Sequence, residues 1–170
     1  MSLKKQRGAL SAEAALIAAL VVIGIIFIAS QSPKLIYKIN EIRFMSQLNE
    51  VVTETQNWKK NRPNFKDAKI GDVCDATSLD KSICDGTAKG ATTTAAATNS
   101  FGGTWTITGS TTSGTFDVTA TLPDADEGQV NALGDSVAPS TRDQCVSSTS
   151  CSTVVVTSGA GGKGSLKMTF

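Results

Sequence analysis

The hydrophobic and polar residues of this chain follow three successive patterns, the first of which is a long apolar run. Residues 14–29 are sixteen consecutive apolar positions. As a helix, residues 9–30 would measure about 33 Å, enough to cross the hydrocarbon core of a membrane. Glu13 is the single charged residue in this stretch. An ionisable group inside a membrane helix costs roughly 2.5–3.5 kcal/mol on insertion scales, so we expect Glu13 to have a functional partner.

The second pattern is that of an amphipathic helix. Pro33 lacks a backbone donor and would clash with the carbonyl of Ala29, which predicts a kink or local melting between Gly24 and Pro33. After it, apolar residues recur at steps of three and four and predict a buried stripe. The stripe comprises Leu35, Ile39, Ile42, Met45, Leu48 and Val52. The sequence Asn-Arg-Pro at 61–63 predicts that the helix ends near Lys60.

The third pattern is an alternation of apolar and polar residues in the C-terminal half. It predicts strands at 104–108, 115–120, 152–157 and 165–170, arranged as two antiparallel hairpins. Four such strands are enough to cover one face of a helix. The sequence therefore predicts an α+β fold in which a long N-terminal helix packs on a four-stranded antiparallel sheet.

A short helix is predicted between the two hairpins. Asp124 follows a proline and is expected to cap the helix, with Glu127 completing a capping box three residues later. The apolar side of this helix would consist of Val130, Leu133 and Val137. Pro139 is expected to end it.

Residues 61–103 resemble a long connection that carries the first pair of cysteines. The chain has four cysteines, Cys74, Cys84, Cys145 and Cys151. All four follow the apolar run, on the side that a membrane helix with a basic N-terminal end sends outward, where disulfides form. Four cysteines allow three pairings. We favour the local pairs Cys74–Cys84 and Cys145–Cys151, and pairing between the early and late cysteines stays open. Their spacing lacks the short knuckles of structural zinc sites, so no metal site is predicted.

Composition argues against catalysis. The chain contains no histidine, which removes Ser-His-Asp and Cys-His catalytic groups and histidine metal sites. The formal charge of +1 becomes −2 once three basic residues near the N-terminus, Lys4, Lys5 and Arg7, are removed. There is no basic stripe that would indicate a nucleic-acid partner. We therefore expect neither an enzyme nor a cofactor.

Two literal motif matches are better explained by structure. Gly159, Gly161 and Gly164 spell G-x-G-x-x-G, but a strand-like segment follows where a dinucleotide site needs a helix, so we expect a hairpin loop. Asp124, Asp126 and Asp135 match part of a calcium-loop spacing, but the glycine is displaced and the final glutamate is absent. Helix capping is the favoured role of these aspartates, and calcium binding remains the alternative.

The N-terminal pattern resembles the type IV pilins and the related pseudopilins of type II secretion systems. A basic leader ends at Gly8, an apolar helix begins at Ala9, and Glu13 is the fifth residue after Gly8. The resemblance implies that a prepilin peptidase cuts after Gly8, that Ala9 becomes an N-methylated terminus, and that Glu13 acts in assembly. The order of elements in the C-terminal half is similar to type IVb pilins, and the subclass stays open.

The resemblance also implies a domain organisation and a route. Residues 1–8 would be a cleaved leader, 9–32 a transmembrane and filament-core helix, 33–60 its amphipathic half, and 61–170 a globular head. The positive-inside rule keeps the leader in the cytoplasm and sends residues 31–170 outward. An ordinary signal peptide or an unspecialised signal anchor is the alternative reading of the N-terminus.

The function implied is that of a structural subunit. It would start in the inner membrane and then assemble with copies of itself into an extracellular filament, through an assembly platform with its own ATPase. Such filaments serve adhesion, aggregation, motility, DNA uptake or conjugation. The alternatives are a secretion-system pseudopilin and, from a different class, a signal-anchored periplasmic binding module.

Overall fold

The computed structural model describes residues 7–60, 62–84, 89–90, 92–95, 98–110, 114–159 and 164–170, and for residues 7–13 it describes the backbone only. The chain divides into two compact units, Met1–Ile39 and Asn40–Phe170. We call the described part of the first unit, residues 7–39, the stem. We call the second unit the head. The stem is entirely helical, and the head is an α+β unit.

Three α-helices and five strands make up the described secondary structure. The helices are α1 (Arg7–Lys59), α2 (Ile70–Ala76) and α3 (Glu127–Val137). The strands are β1 (Thr94–Ala95), β2 (Trp105–Gly109), β3 (Phe116–Leu122), β4 (Val154–Thr157) and β5 (Gly164–Thr169). Single 3₁₀ turns lie at Ala138–Ser140 and Ser148–Ser150. The predicted α+β class is confirmed, and the four predicted strands correspond to β2 to β5.

The five strands form one antiparallel sheet in the order β1-β2-β3-β5-β4. Its register aligns the buried residues of neighbouring strands, with Ile107 opposite Val118 and Val118 opposite Met168. These three side chains are fully buried, whereas the intervening residues point to the other face. The period of two in the sequence therefore assigns the core face of the sheet correctly.

The head buries one face of α1, but in a different phase from the predicted stripe. The buried positions are Phe44, Leu48, Val51, Thr55 and Trp58. Of the predicted set only Leu48 is fully buried, and Leu35 and Ile42 are 63% and 69% exposed. The prediction was wrong by about one residue because Phe44-Met45 and Val51-Val52 are adjacent apolar pairs, which satisfy both phases of a helical repeat.

Aromatic contacts show why the head selects this phase. The ring of Phe44 stacks on Trp105 of β2 at 4.9 Å between centroids and meets Phe101 edge-on at 5.9 Å. Offset and edge-on aromatic pairs contribute about 0.5–1.5 kcal/mol beyond the burial of their area. The polar member of the face, Thr55, donates its hydroxyl to the carbonyl of Val51 at 2.6 Å. Its burial therefore leaves no hydroxyl unsatisfied.

Helix α1 continues through Pro33 without interruption. The local melting predicted between Gly24 and Pro33 is therefore absent. Nearby, the Ser30 hydroxyl donates to the carbonyl of Phe27 at 2.7 Å, which gives one backbone acceptor near the proline a second donor. The helix ends at Lys59, as Asn-Arg-Pro at 61–63 predicts.

The predicted long connection of residues 61–103 contains structure of its own. Its described part includes α2 and the edge strand β1, so it is not a simple loop. Asn99 organises its end: the side-chain oxygen accepts from the backbone N–H groups of Phe101 and Gly103, and the amide donates to the carbonyl of Thr121 at 2.8 Å. Because Asn99 is buried, these bonds replace water and hold the segment against β3.

The short helix between the hairpins forms, but its cap lies two residues later than predicted. Asp126 is the N-cap, and its side chain accepts from the backbone N–H of Gln129 while the Gln129 side chain accepts from the Asp126 N–H. The box Asp126–Gln129 therefore replaces the predicted Asp124–Glu127 box. The predicted apolar face, Val130, Leu133 and Val137, is fully buried.

Candidate functional site

The residues that carry the family resemblance lie at the beginning of α1. The helix begins at Arg7, so Gly8 and Ala9 fall in its first turn and Glu13 lies one turn beyond Ala9. Positions 9 and 13 are four residues apart and therefore share one face of the helix. The leader residues 1–6 lie outside the described residues, as do the side chains of residues 7–13. The contacts of the Glu13 carboxylate are therefore not described.

The stem presents an apolar surface around its whole circumference. From Leu16 to Ile28, every large apolar side chain is more than half exposed, from 53% at Val22 to 71% at Ile28. No charged residue occurs between Ala14 and Pro33. A helix that is apolar on all sides is stable only inside a membrane or a protein core. An apolar surface of this kind is compatible with a helix that spans a membrane.

One helix among the described residues, Ala14–Lys59, is long and apolar enough to cross a membrane, and it lies near the N-terminus. This feature is compatible with membrane anchoring. Length and apolar composition are shared with signal sequences, so the distinction depends on Gly8, Ala9 and Glu13.

Two local disulfides stabilise the head. Cys74 of α2 pairs with Cys84, and Cys145 pairs with Cys151 just before β4, so no cysteine is free. Each bridge closes a loop of fewer than a dozen residues, with sequence separations of 10 and 6. The local pairing that the sequence favours is the one present, and the long-range alternative is not.

Asp135 of α3 fixes the second disulfide loop. Its carboxylate accepts from the Ser148 hydroxyl at 2.7 Å, the Ser148 backbone N–H at 2.8 Å and the Ser147 hydroxyl at 3.0 Å. These bonds, led by those from Ser148, lower the pKa of Asp135 below its ordinary value because they favour the ionised carboxylate. The expected helix-capping role of Asp135 is wrong, since it binds a loop from the interior of α3. Its hydrogen bonds anchor that loop to the helix.

The three aspartates of the calcium-like spacing, Asp124, Asp126 and Asp135, lie in different surroundings. Asp126 caps α3, and Asp135 holds the disulfide loop. Asp124 lies beside Gly102, whose φ of +69° favours glycine, and a Cβ there would come within 2.9 Å of the Asp124 carboxylate. Among the described residues these three carboxylates do not form a group that could hold a cation.

A second apparent metal group has a covalent explanation. Asp143 lies near the sulfur atoms of Cys145 and Cys151. Because those sulfurs are joined in a disulfide, they are not the thiolates that bind metals. The Asp143 carboxylate instead accepts from the Ser152 hydroxyl at 2.6 Å.

The glycine-rich motif leads into a strand and not a helix. Gly164 is the first residue of β5, and Gly161 lies outside the described residues. A Cβ at Gly164 would meet the side chain of Val130 in α3, so the glycine allows the helix to approach the sheet closely. The segment after the motif is therefore a strand, as the sequence predicts, and not the helix that a dinucleotide site needs.

Polar contacts that the sequence did not reveal attach α1 to the segment before β2. Gln47 of α1 donates its amide to the carbonyl of Thr98 at 3.2 Å and accepts from the backbone N–H of Ser100 at 3.1 Å. The Ser100 hydroxyl donates to the carbonyl of Asn40 at 2.7 Å. The partners are more than 50 residues apart in sequence, and no local pattern indicates such a pairing.

The chain thus has a long apolar N-terminal helix, an antiparallel sheet and disulfides, which together fit a pilin-like architecture. No protein-family model, curated protein or solved structure matches it.

Proposed function

We propose that this chain is the structural subunit of a type IV pilus-like filament. It would be inserted in the inner membrane, cut between Gly8 and Ala9 by a prepilin peptidase, and assembled with copies of itself outside the membrane. Its role would be mechanical, with the energy for assembly supplied by a separate ATPase.

The observation that carries this proposal is the combination of a cleavage motif with an apolar helix that lacks any cover. Gly8, Ala9 and Glu13 lie at the start of a helix whose large apolar side chains are exposed from Leu16 to Ile28. A membrane provides cover before assembly, and neighbouring stems provide it afterwards. Both environments suit the same surface, since lipid tails and apolar side chains are equally free of polar groups.

Glu13 would define the register between neighbouring subunits. Cleavage after Gly8 creates a new amine at Ala9, and residues 9–30 contain no lysine or arginine to pair with the carboxylate. In a low-dielectric filament core an ion pair attracts strongly, whereas either charge alone costs several kcal/mol to bury. The Ala9 amine of a neighbouring subunit is therefore the partner proposed for Glu13.

The head also supports the proposal. Two disulfides and the buried face of α1 stabilise it. A small exported domain typically loses about 2–5 kcal/mol when a native disulfide is removed, so the bridges suit a protein exposed outside the cell.

The N-terminus of filaments sheared from cells that express this chain tests the proposal. Intact mass and N-terminal peptide spectra should show a chain that begins at Ala9 and carries a methyl group. A chain that begins near Gln31 would show signal-peptidase cleavage and contradict the proposal. Cleavage after Gly8 without surface filaments would favour a pseudopilin of a secretion system.

A further inference from the structure

The composition of α1 changes in residues 31–39, which we call the outer stem segment. Residues 14–33 contain no charged residue, and Lys34 and Lys38 then follow. Residues 14–40 contain no acidic residue. The outer stem segment therefore carries two positive charges directly after a stretch that is long and apolar enough to cross a membrane.

The helical repeat divides the outer stem segment into two sides. The two lysines are four residues apart and therefore lie on one side. Successive residues of a helix are turned by about 100°, which places the large apolar residues on another side. These are Leu35, Ile36 and Ile39, which are 63%, 55% and 41% exposed. Ser32 is the one polar residue among them, and a helical serine can donate its hydroxyl to the backbone. The apolar surface of α1 thus continues along one side to Ile39.

The polar side of the segment also contains an aromatic residue. Tyr37 is three residues after Lys34 and so shares its side of the helix. The ammonium of Lys38 lies 6.0 Å from the centre of the Tyr37 ring. Tyrosine is enriched at membrane–water interfaces because its ring is apolar and its hydroxyl is polar. Lysine suits the same depth, since its methylene groups can lie along lipid while the ammonium reaches the headgroups. The polar side therefore has the composition of an interfacial anchor.

The two sides differ in apolar length, and this difference favours a tilted helix. As a helix, residues 9–30 measure about 33 Å and residues 9–39 about 46 Å. The hydrocarbon core of a membrane is about 30 Å thick. A helix whose apolar length exceeds this thickness can tilt, and membrane helices tilt by about 20° on average. A tilt that turns the apolar side toward the membrane brings Ile36 and Ile39 into lipid and lifts the lysines toward the headgroups.

We propose that the outer stem segment binds the membrane surface before filament assembly. Leu35, Ile36 and Ile39 enter the lipid, and Lys34 and Lys38 bind the phosphates of the lipid headgroups. A soluble anion would leave the apolar side uncovered, and an apolar protein surface would offer the lysines no anion. A lipid surface satisfies both sides at one depth. This inference rests on the membrane stage of the proposed function.

Nitroxide labels on single cysteines of the full chain measure the depth of chosen positions. The four native cysteines are paired in disulfides, so a cysteine introduced in the stem is the one reactive thiol. The variants are Leu20→Cys, Tyr37→Cys and Ile39→Cys, each placed in nanodiscs of phosphatidylethanolamine and phosphatidylglycerol. Electron paramagnetic resonance compares collisions of each label with oxygen, which enters lipid, and with a nickel chelate, which stays in water.

The label at Ile39 should lie deeper than the label at Tyr37, although Ile39 is about 3 Å further along the helix. A Tyr37 label at equal or greater depth would overturn the inference. The Leu20 label distinguishes this failure from a failure of the proposed function. Leu20 in lipid, with Ile39 no deeper than Tyr37, would contradict the surface contact alone. Leu20 in water would show that the helix does not enter the membrane, and both proposals would then fail.

Variants of the two lysines test the contact with the headgroups. Lys34→Gln/Lys38→Gln should shrink the difference in depth between the Ile39 and Tyr37 labels, because it removes the charges that hold the polar side at the phosphates. Lys60→Gln/Lys66→Gln is the matched control: it removes the same charge from two exposed residues of the head and should leave the difference unchanged. An equal change in both double variants, or none in either, would contradict the role of Lys34 and Lys38.

Discussion

The stem and the head expose apolar surface to very different degrees. Ten large apolar side chains from Leu16 to Ile28 are exposed in the stem, whereas the head buries Phe44, Leu48 and Trp105 completely. Covering the stem would release on the order of 10 kcal/mol or more, at about 1.5–3 kcal/mol per fully buried side chain. In the head, the corresponding free energy of burying apolar side chains is already gained when the chain folds. The comparison shows that the head has a buried core of its own, whereas the large apolar side chains of the stem from Leu16 to Ile28 are exposed.

The largest expected effect concerns the charge at the start of the stem. Glu13→Ala should leave export and cleavage after Gly8 intact but reduce filament yield by at least about tenfold, because the Ala9 amine would be buried without its partner. The measurement compares processed subunit in the membrane with sheared filaments. Glu54→Gln, in the head part of α1, is the matched control and should assemble normally. Normal filaments from the Glu13→Ala strain would contradict the ion-pair proposal.

A matched pair of leucines in α1 tests the difference in burial between the stem and the head. Leu48 is fully buried and Leu20 is 61% exposed. Leu48→Ala should lower the free energy of unfolding of the head by about 2–5 kcal/mol, because it removes buried methyl groups and leaves a cavity. Leu20→Ala should change it by less than about 0.5 kcal/mol. Urea unfolding of the isolated subunit in detergent, followed by near-UV circular dichroism, measures both. Equal effects would show that the stem is part of the folded core.

The disulfide loop before β4 should contribute a smaller amount. The double variant Cys145→Ser/Cys151→Ser should destabilise the head by about 2 kcal/mol, the chain-entropy value for so short a loop. Replacing both cysteines avoids a free thiol. Urea unfolding under non-reducing conditions measures the change, and the unreduced wild type should show no reactive thiol on labelling. An unchanged unfolding curve would mean that the Asp135 hydrogen bonds hold the loop without the bridge.

The smallest expected effect is a dependence on acid. The pKa of Asp135 is lowered in the folded head, so its contribution to stability is present above its unfolded pKa of about 3.9 and is lost as pH falls through the folded value. Asp135→Asn should therefore flatten the fall in stability below about pH 4. Asp80, whose pKa is also lowered, by the hydroxyl and backbone N–H of Ser82, would still contribute in that variant. Urea unfolding at a series of acid pH values compares the two proteins. An identical acid profile would show that Asp135 does not carry the effect.

The sequence alone predicted most of the secondary structure where its pattern is unambiguous. The strands β2 to β5 and the end of α1 near Lys60 follow from alternation and from Pro63. The apolar face of α3 was also correct, because Val130, Leu133 and Val137 fit only one helical phase. These features depend on local periodicity, which the sequence displays directly.

The errors concern choices between equivalent local patterns. Asp124 and Asp126 are each followed, three residues later, by an acidic or amide residue, so the local sequence fits either cap, and the structure has Asp126 as the cap. Likewise, β1 is two residues long and gains its ladder only by pairing with β2. A strand this short has no periodicity of its own, so the sequence could not reveal it.

By itself the sequence determined the apolar stem, the position of its single charge and the alternating strands, because each is a property of neighbouring residues. The tertiary structure decided which face of α1 is buried, how the four cysteines pair, and that Gln47, Asn99 and Ser100 join segments far apart in the chain. Contacts between distant residues depend on how whole elements pack, and no local pattern contains that information.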